Sequence, residues 1–348
     1  LWASSTSSAI AAEDVIKRTA ATRVRIVVLP FFRILANIDG QDKHRRTVLA
    51  NWPITIILTT LDPHSLHAVS ANVAKAPNKK TTKNDAGNIY VGIGGWTFEP
   101  WRGVFYPEKL AQSKELSYAA SKLTSIEING TYYGSQKPES FRKWAAEVPD
   151  GFIFSLKGPR FATNRRVLAE AGDSVKRFYD SGVLELKDRL GPVLWQFAPT
   201  KKFDGADFGK FLELLPKKLD GRALRHVVEV RHDSFCVPEF VALIREFETP
   251  VVFAEHGKYP AIADVASDFV YARLQKGNDE LATCYPPKQL DAWARRFQDW
   301  AGGGEPDDLP RVDNTKPKKA PRDVFAYVIH EGKVRAPAGA MELIERVK

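Results

Sequence analysis

Between Ile89 and His330 the chain carries eight short apolar segments, and nearly every one runs into a polar or charged residue at its C-terminal end. Helical or loop stretches separate them. A strand-then-crossover alternation repeated eight times points to a (β/α)8, TIM-barrel-like α/β fold, whose interior is packed with side chains and whose functional groups collect at the C-terminal strand ends. The pattern places a site without naming its reaction.

The predicted strands are residues 89–94, 125–129, 152–157, 192–197, 227–231, 250–255, 269–274 and 324–330. Apolar residues at helical spacing predict helices over 109–123, 139–148, 167–190, 206–219, 238–247 and 288–300, with Pro138 and Pro238 suited to first-turn positions. The glycine- and proline-rich stretch 301–322 is predicted as a surface loop before the last strand. The barrel domain is therefore assigned to residues 89–348, close to the roughly 250 residues typical of this architecture.

Residues 1–88 show no sustained period of 3.6 or 2 and are expected to form a poorly ordered extension outside the functional domain. This segment holds 12 Lys or Arg against 6 Asp or Glu, so it carries +6 of the net charge of +9. With most of the positive charge outside the barrel, general basicity is a weak argument for nucleic-acid binding, which calls for a clustered patch. The basic loop at 159–166, which mixes arginines with Phe161, is the one local candidate for such a patch. Two cysteines, Cys236 and Cys284, are too few for a disulfide framework, and no apolar run reaches the roughly 20 residues of a membrane span. A cytoplasmic protein without membrane contact is expected. Oligomeric state is not legible in the sequence.

Side chains alternate across a strand, so each terminal polar residue can be assigned a face. In 125–129, Glu127 and Asn129 share one face while Ile126 and Ile128 take the other, so the polar pair is expected inside. The same argument sends Lys157, Gln196, Glu229, Arg231, Glu255, Arg273 and His330 toward the barrel mouth. Three Glu against Lys157, Arg231 and Arg273 predict a balanced ionic network, since unpaired charge there costs several kcal/mol. Glu127, Glu229 and His232 are the acid/base candidates. Asn129, Tyr132, Lys157, Gln196, Arg231, Arg273 and Trp96 are the substrate-binding candidates, with the cations suited to phosphate or carboxylate oxygens and the aromatics to stacking. The expected partner is a small anionic or polyhydroxylated molecule, and the alternative is a non-catalytic nucleic-acid or metabolite binder. No cofactor motif is present: in the glycine run at 92–95 the third glycine of a dinucleotide fingerprint would fall at Thr97. A second alternative is a metal-dependent phosphodiesterase- or endonuclease-like hydrolase, for which a divalent metal would have few histidines to draw on; no metal ligand is assigned.

These residues also carry a family resemblance. Gly-Ile-Gly-Gly-Trp at 92–96, Trp-Arg-Gly at 101–103 with Phe-Tyr-Pro at 105–107, Ser-Ile-Glu-Ile-Asn-Gly-Thr-Tyr-Tyr at 125–133 and Phe-Ser-Leu-Lys-Gly-Pro-Arg at 154–160 are four of its motifs. Gly-Pro-Val-Leu-Trp-Gln at 191–196, Glu-Val-Arg-His at 229–232, Asp-Phe-Val-Tyr-Ala-Arg at 268–273 and Lys-Val-Arg-Ala-Pro at 333–337 are the rest. Together, and in this order, they resemble the YecE-like family, also called domain of unknown function family 72. The resemblance implies a TIM-barrel-like fold and no particular reaction. The chain departs from the family pattern at Asn164 and Gln275, where members tend to carry histidine, at Glu255 in place of Asp, and over 328–331. Two candidate proton-transfer histidines are thus amides here, with His232, His256 and His330 as possible substitutes.

Overall fold

Eight strands form one parallel sheet: β1 (Ile89–Gly94), β2 (Ser125–Ile128), β3 (Ile153–Lys157), β4 (Leu190–Gln196), β5 (His226–Glu229), β6 (Phe253–Glu255), β7 (Phe269–Leu274) and β8 (Asp323–Val328). Their order around the sheet follows the chain, from β6 through β8 and β1 to β5. A parallel bridge between Val228 and Val251 joins the two ends. Across it the Val228 amide donates to the Pro250 carbonyl at 3.0 Å and the Val252 amide to the Val228 carbonyl at 2.8 Å. The sheet is thus wrapped into the predicted (β/α)8 barrel. The structure, a computed structural model, describes residues 86–348 and the backbone of two antiparallel strands, Ile26–Val28 and Ile34–Ala36. Contacts divide the chain into units Leu1–Thr81 and Thr82–Lys348. Apart from those two strands, the segment expected to be a poorly ordered extension lies outside the described residues until position 86.

The crossovers hold α1 (Glu115–Lys122), α2 (Gly130–Tyr133), α3 (Pro138–Ala146), α4 (Arg160–Thr163), α5 (Gly172–Asp180), α6 (Gly205–Glu213), α7 (Pro238–Glu246) and α8 (Pro287–Ala301), and α9 (Ala336–Val347) follows β8. The single helix expected over 167–190 is instead three pieces. Gly182 breaks it: its φ is 99°, and a Cβ there would lie 2.8 Å from Pro138. The helix expected over 206–219 stops at Glu213, because Pro216 follows within one turn and cannot extend it. The one-turn helices α2 and α4 and the terminal α9 were not anticipated. Residues 302–322 form no helix or strand and are fastened at Asp264, whose carboxylate accepts the amides of Val312 at 2.7 Å and Asp313 at 2.9 Å. Among the described residues no helix is long and apolar enough to cross a membrane.

Strand alternation separates two cores. Outward residues such as Ile93, Ile126, Phe154, Trp195 and Val228 pack under the helices as one large cluster. Tyr90, Leu194, Val227, Phe269, Tyr271, Phe325 and Tyr327 form a second cluster that fills the barrel. Each fully buried side chain of this size contributes about 1.5–3 kcal/mol. Gly92 is required where β1 approaches β2, since a Cβ would lie 1.9 Å from the Ser125 carbonyl oxygen.

One buried imidazole of the outer layer is paired at both ring nitrogens. His226, at the N-terminal end of β5, accepts from Trp195 Nε1 at its Nδ1 (3.1 Å), and its Nε2 lies 2.9 Å from the Pro216 carbonyl oxygen. Those partners assign the Nε2-H tautomer. Burial lowers its pKa to about 4, so the ring is neutral.

Candidate functional site

The inward face grows more polar toward the C-terminal strand ends. Above the aromatic floor lies a hydroxyl layer. Tyr327 pairs with Ser125 at 2.7 Å, and Tyr271 with Ser155 at 2.9 Å. The Tyr271 hydroxyl also donates to Glu127 Oε2 at 2.7 Å. Ser125 donates onward to the Ile153 carbonyl at 2.7 Å; because Tyr271 gives its one proton to Glu127, the Ser155 proton is shared between the Tyr271 oxygen and the Pro192 carbonyl, each 2.9 Å away. Burial, and for Tyr271 next the Glu127 charge, raises both phenols well above their usual pKa, so they stay protonated and donate.

One step higher, five charged residues meet. Arg273, from β7, spans two carboxylates, donating from Nη1 to Glu229 Oε2 at 2.7 Å and from Nη2 to Glu127 Oε1 at 3.2 Å. Arg231, just past β5, donates from Nε to Glu229 Oε1 at 2.8 Å and from Nη2 to Gln196 Oε1 at 2.8 Å. Lys157, at the end of β3, donates to that same Gln196 oxygen at 2.7 Å, with its ammonium 4.6 Å from the centre of the Tyr132 ring. Burial would raise the Glu229 carboxyl, but Arg273, Arg231 and Lys157 outweigh it and hold the group below its usual range. Burial, then the neighbouring Arg273, lowers the Lys157 ammonium to about 8. Burial opposes the Arg273 charge, yet Glu127 and Glu229 prevail and fix it as a cation.

The expected charge balance does not hold. Glu255 pairs in register with Leu274, one residue beyond the inward Arg273, so its side chain turns outward to the helix layer. There it accepts from Tyr285 OH at 2.6 Å and Trp293 Nε1 at 3.2 Å. Burial raises its pKa, partly offset by those bonds. Without it the inner cluster has three cations and two carboxylates, an excess of one positive charge. Each carboxylate oxygen is already engaged, whereas Lys157 donates only one of its protons and the buried Arg273 Nε has no hydrogen-bond partner among the described residues. Gln275 likewise presents a buried Oε1 without a partner.

The structure thus brings Glu127, Glu229, Lys157, Gln196, Arg231 and Arg273 together, with Tyr132 over Lys157. Asn129 lies beside β1, its Nδ2 2.9 Å from where a Cβ on Gly94 would sit. Besides Glu255, the structure places three residues away from the expected mouth. Trp96 stacks edge-on against Trp144 at 5.3 Å and near Phe154 at 6.3 Å, in the outer layer, because its loop turns away from the mouth. His232 caps the turn at Asp233–Phe235, accepting from the Ser234 amide at 3.1 Å. His330 follows the inward Ile329 and so falls on the outward face, 3.2 Å from Asp279. At the rim, Tyr259 lies between Arg231, 4.6 Å away, and the stacked His256, 4.1 Å away. Tyr271, Tyr327, Ser125 and Ser155 were missed although each sits two residues from, or in register with, an inward polar residue. Tyr259 belongs to a loop, where no periodicity applies. Among the described residues no three His, Cys, Asp or Glu gather as a metal-ligand set.

The model of the family described as "Protein of unknown function DUF72" matches residues 90–348. The chain is 28% identical over 116 residues to the UPF0759 protein YunF of Bacillus subtilis, covering 32% of this chain and 40% of that protein. It is 27% identical over 150 residues to the UPF0759 protein YecE of Escherichia coli, covering 42% and 50%. The matched stretch thus spans half or less of these curated relatives. A DUF72 family protein of Thermotoga maritima superposes with a TM-score of 0.54 at 22% identity, covering 74% of this chain and 97% of that one. One of Enterococcus faecalis gives 0.54 at 16% identity over 74% and 97%. These likenesses establish the fold.

Proposed function

The chain belongs to the DUF72 family, whose function is unknown, and on that premise we propose that its barrel mouth is an anion-accepting active site for a small phosphate- or carboxylate-bearing substrate. The observation that carries this reading is the convergence of Lys157 and Arg231 on one amide oxygen, Gln196 Oε1. Two cations side by side in a buried layer repel each other, and the two carboxylates nearby leave one positive charge uncompensated. An anion seated on Lys157 and Arg231 completes the balance.

In this reading Glu127 and Glu229 are not free bases. With every oxygen engaged, they hold Arg273 and Arg231 in place, as positioning groups do at precise anion sites. Proton transfer falls to Lys157, whose pKa of about 8 lets it give or take a proton near neutrality, and to His256 at the rim. Burial, with Arg231 and Lys258, lowers the His256 pKa below its usual value and keeps the ring neutral.

The test is a thermal-shift screen of the full chain against sulfate, inorganic phosphate, phosphosugars and small carboxylates, since a ligand of the native state raises Tm by mass action. The proposal expects a stabilising anion whose effect is lost in Arg231→Ala and kept in Glu255→Gln, whose side chain faces the helices. Stabilisation that survives Arg231→Ala, or no stabilisation at all, would refute it.

A further inference from the structure

Beside the barrel mouth lies a second cationic feature that the anion site does not use. The loops and short helices after β2 and β3 enclose a cleft of about 660 Å³ whose walls include Arg160, Arg165, Arg177, Phe161, Ser174 and Gln136, and no Asp or Glu side chain. None of the three arginines forms an ion pair among the described residues, and Arg165 Nε is buried there without a hydrogen-bond partner. Unpaired guanidinium groups facing one concavity, without a carboxylate, call for an anion.

The rim is aromatic. Tyr133 is 65% exposed and Phe161 60%, the two most exposed large hydrophobic side chains among the described residues. Arg160 lies 5.9 Å from the Tyr133 ring and 5.5 Å from the Phe161 ring. Tyr133 meets Tyr132 edge-on at 5.1 Å, and Tyr132 in turn lies over Lys157. Cations and rings therefore alternate from the barrel mouth, through Tyr132 and Tyr133, to Arg160 and Phe161. Thr131 secures the path by donating to the Lys157 carbonyl at 2.7 Å.

We propose that the arginine-lined cleft and its aromatic rim form a binding track for single-stranded nucleic acid, with phosphates on Arg160, Arg165 and Arg177 and unpaired bases on Tyr133 and Phe161. Interleaved cations and exposed ring faces suit a strand that presents phosphates and bases alternately. A duplex keeps its bases stacked inward and leaves the rings unused. An acidic peptide or sulfated polysaccharide would use the arginines but not the rings. The proposal is independent of the small-anion reading, whose key cation Arg231 is not part of the cleft.

The experiment is fluorescence anisotropy of the full chain with a labelled twelve-residue oligothymidylate, the matching duplex and heparin as competing probes. The single strand is expected to bind in preference to the duplex, with affinity falling as salt rises. Tyr133→Ala and Phe161→Ala, both at exposed positions, are each expected to weaken single-strand binding by roughly five- to a hundredfold, the range for loss of one stacking ring, while Tm is unchanged. Tryptophan at either position is expected to restore it. Equal affinity for duplex, ring variants that bind as the parent does, heparin binding that needs the arginines alone, or no binding would each overturn the proposal.

Discussion

Lys157→Met isolates the electrostatic cost of the buried ammonium. The side chain is 7% exposed, and burial with Arg273 brings its pKa from 10.5 to about 8. A folded-state pKa below the unfolded one means that the unfolded chain binds more protons between these values, so stability rises with pH across that window. At about 1.4 kcal/mol per tenfold change in proton affinity, the charged lysine costs ~3 kcal/mol below pH 8 relative to its neutral form, and the cost fades toward pH 10.5. Methionine has similar length and no charge, and every other titrating group is common to the two proteins. The difference between their unfolding free energies should therefore follow Lys157 alone. Urea unfolding of both proteins at pH 7 and pH 10 measures it: the parent should gain on the variant by most of that ~3 kcal/mol. A difference that stays constant with pH, or moves in the variant's favour as pH rises, would show that the ammonium is not buried among cations and would refute the reasoning.

Glu229→Gln leaves Arg231 without a carboxylate and Arg273 with one, so a loss of about 3–5 kcal/mol is expected from breaking a buried ion pair, read as a fall of roughly 10 °C in Tm. Gly92→Ala places a methyl carbon 1.9 Å from the Ser125 carbonyl oxygen, and a cost of ~4 kcal/mol or more should appear as loss of folded protein in expression and circular dichroism. For His226, whose folded pKa of about 4 lies below the unfolded value, the native state binds fewer protons between pH 6.5 and 4, so stability falls as acid is added through that range. An NMR titration should find this imidazole still neutral at pH 5, and a ring that protonates near 6.5 would contradict the Trp195 and Pro216 pairing.

Much of the barrel was legible because strand alternation is a local signal. The predicted strands at 89–94 and 269–274 coincide with β1 and β7, and the other six overlap their observed counterparts. The same period-two argument correctly set Glu127, Lys157, Gln196, Glu229 and Arg273 on the inward face. It failed where the frame was set from the wrong residue. Glu255 was assigned inward as a strand-terminal charge, yet the register with β7 makes Ala254 the inward neighbour of Arg273. His330 failed for the same reason, one step past Ile329. Helix ends depended on tertiary contacts, as at Gly182 against Pro138, which no local window contains. The cleft was invisible because Arg160, Arg165 and Arg177 come from separate turns that meet only once α4 and α5 are folded. Only the composition of the loop at 159–166 hinted at it.

The central claim, that the mouth holds an uncompensated positive charge which an anion completes, is tested most directly by titrating sulfate, an anion that does not itself titrate, into the chain at pH 8.5. Isothermal calorimetry in buffers of differing ionisation heat counts the protons exchanged. Near that pH Lys157 is largely neutral, so binding is expected to draw a substantial fraction of a proton onto it, and that uptake should vanish in Lys157→Met. Sulfate binding without proton uptake, or uptake that persists in Lys157→Met, would contradict the account.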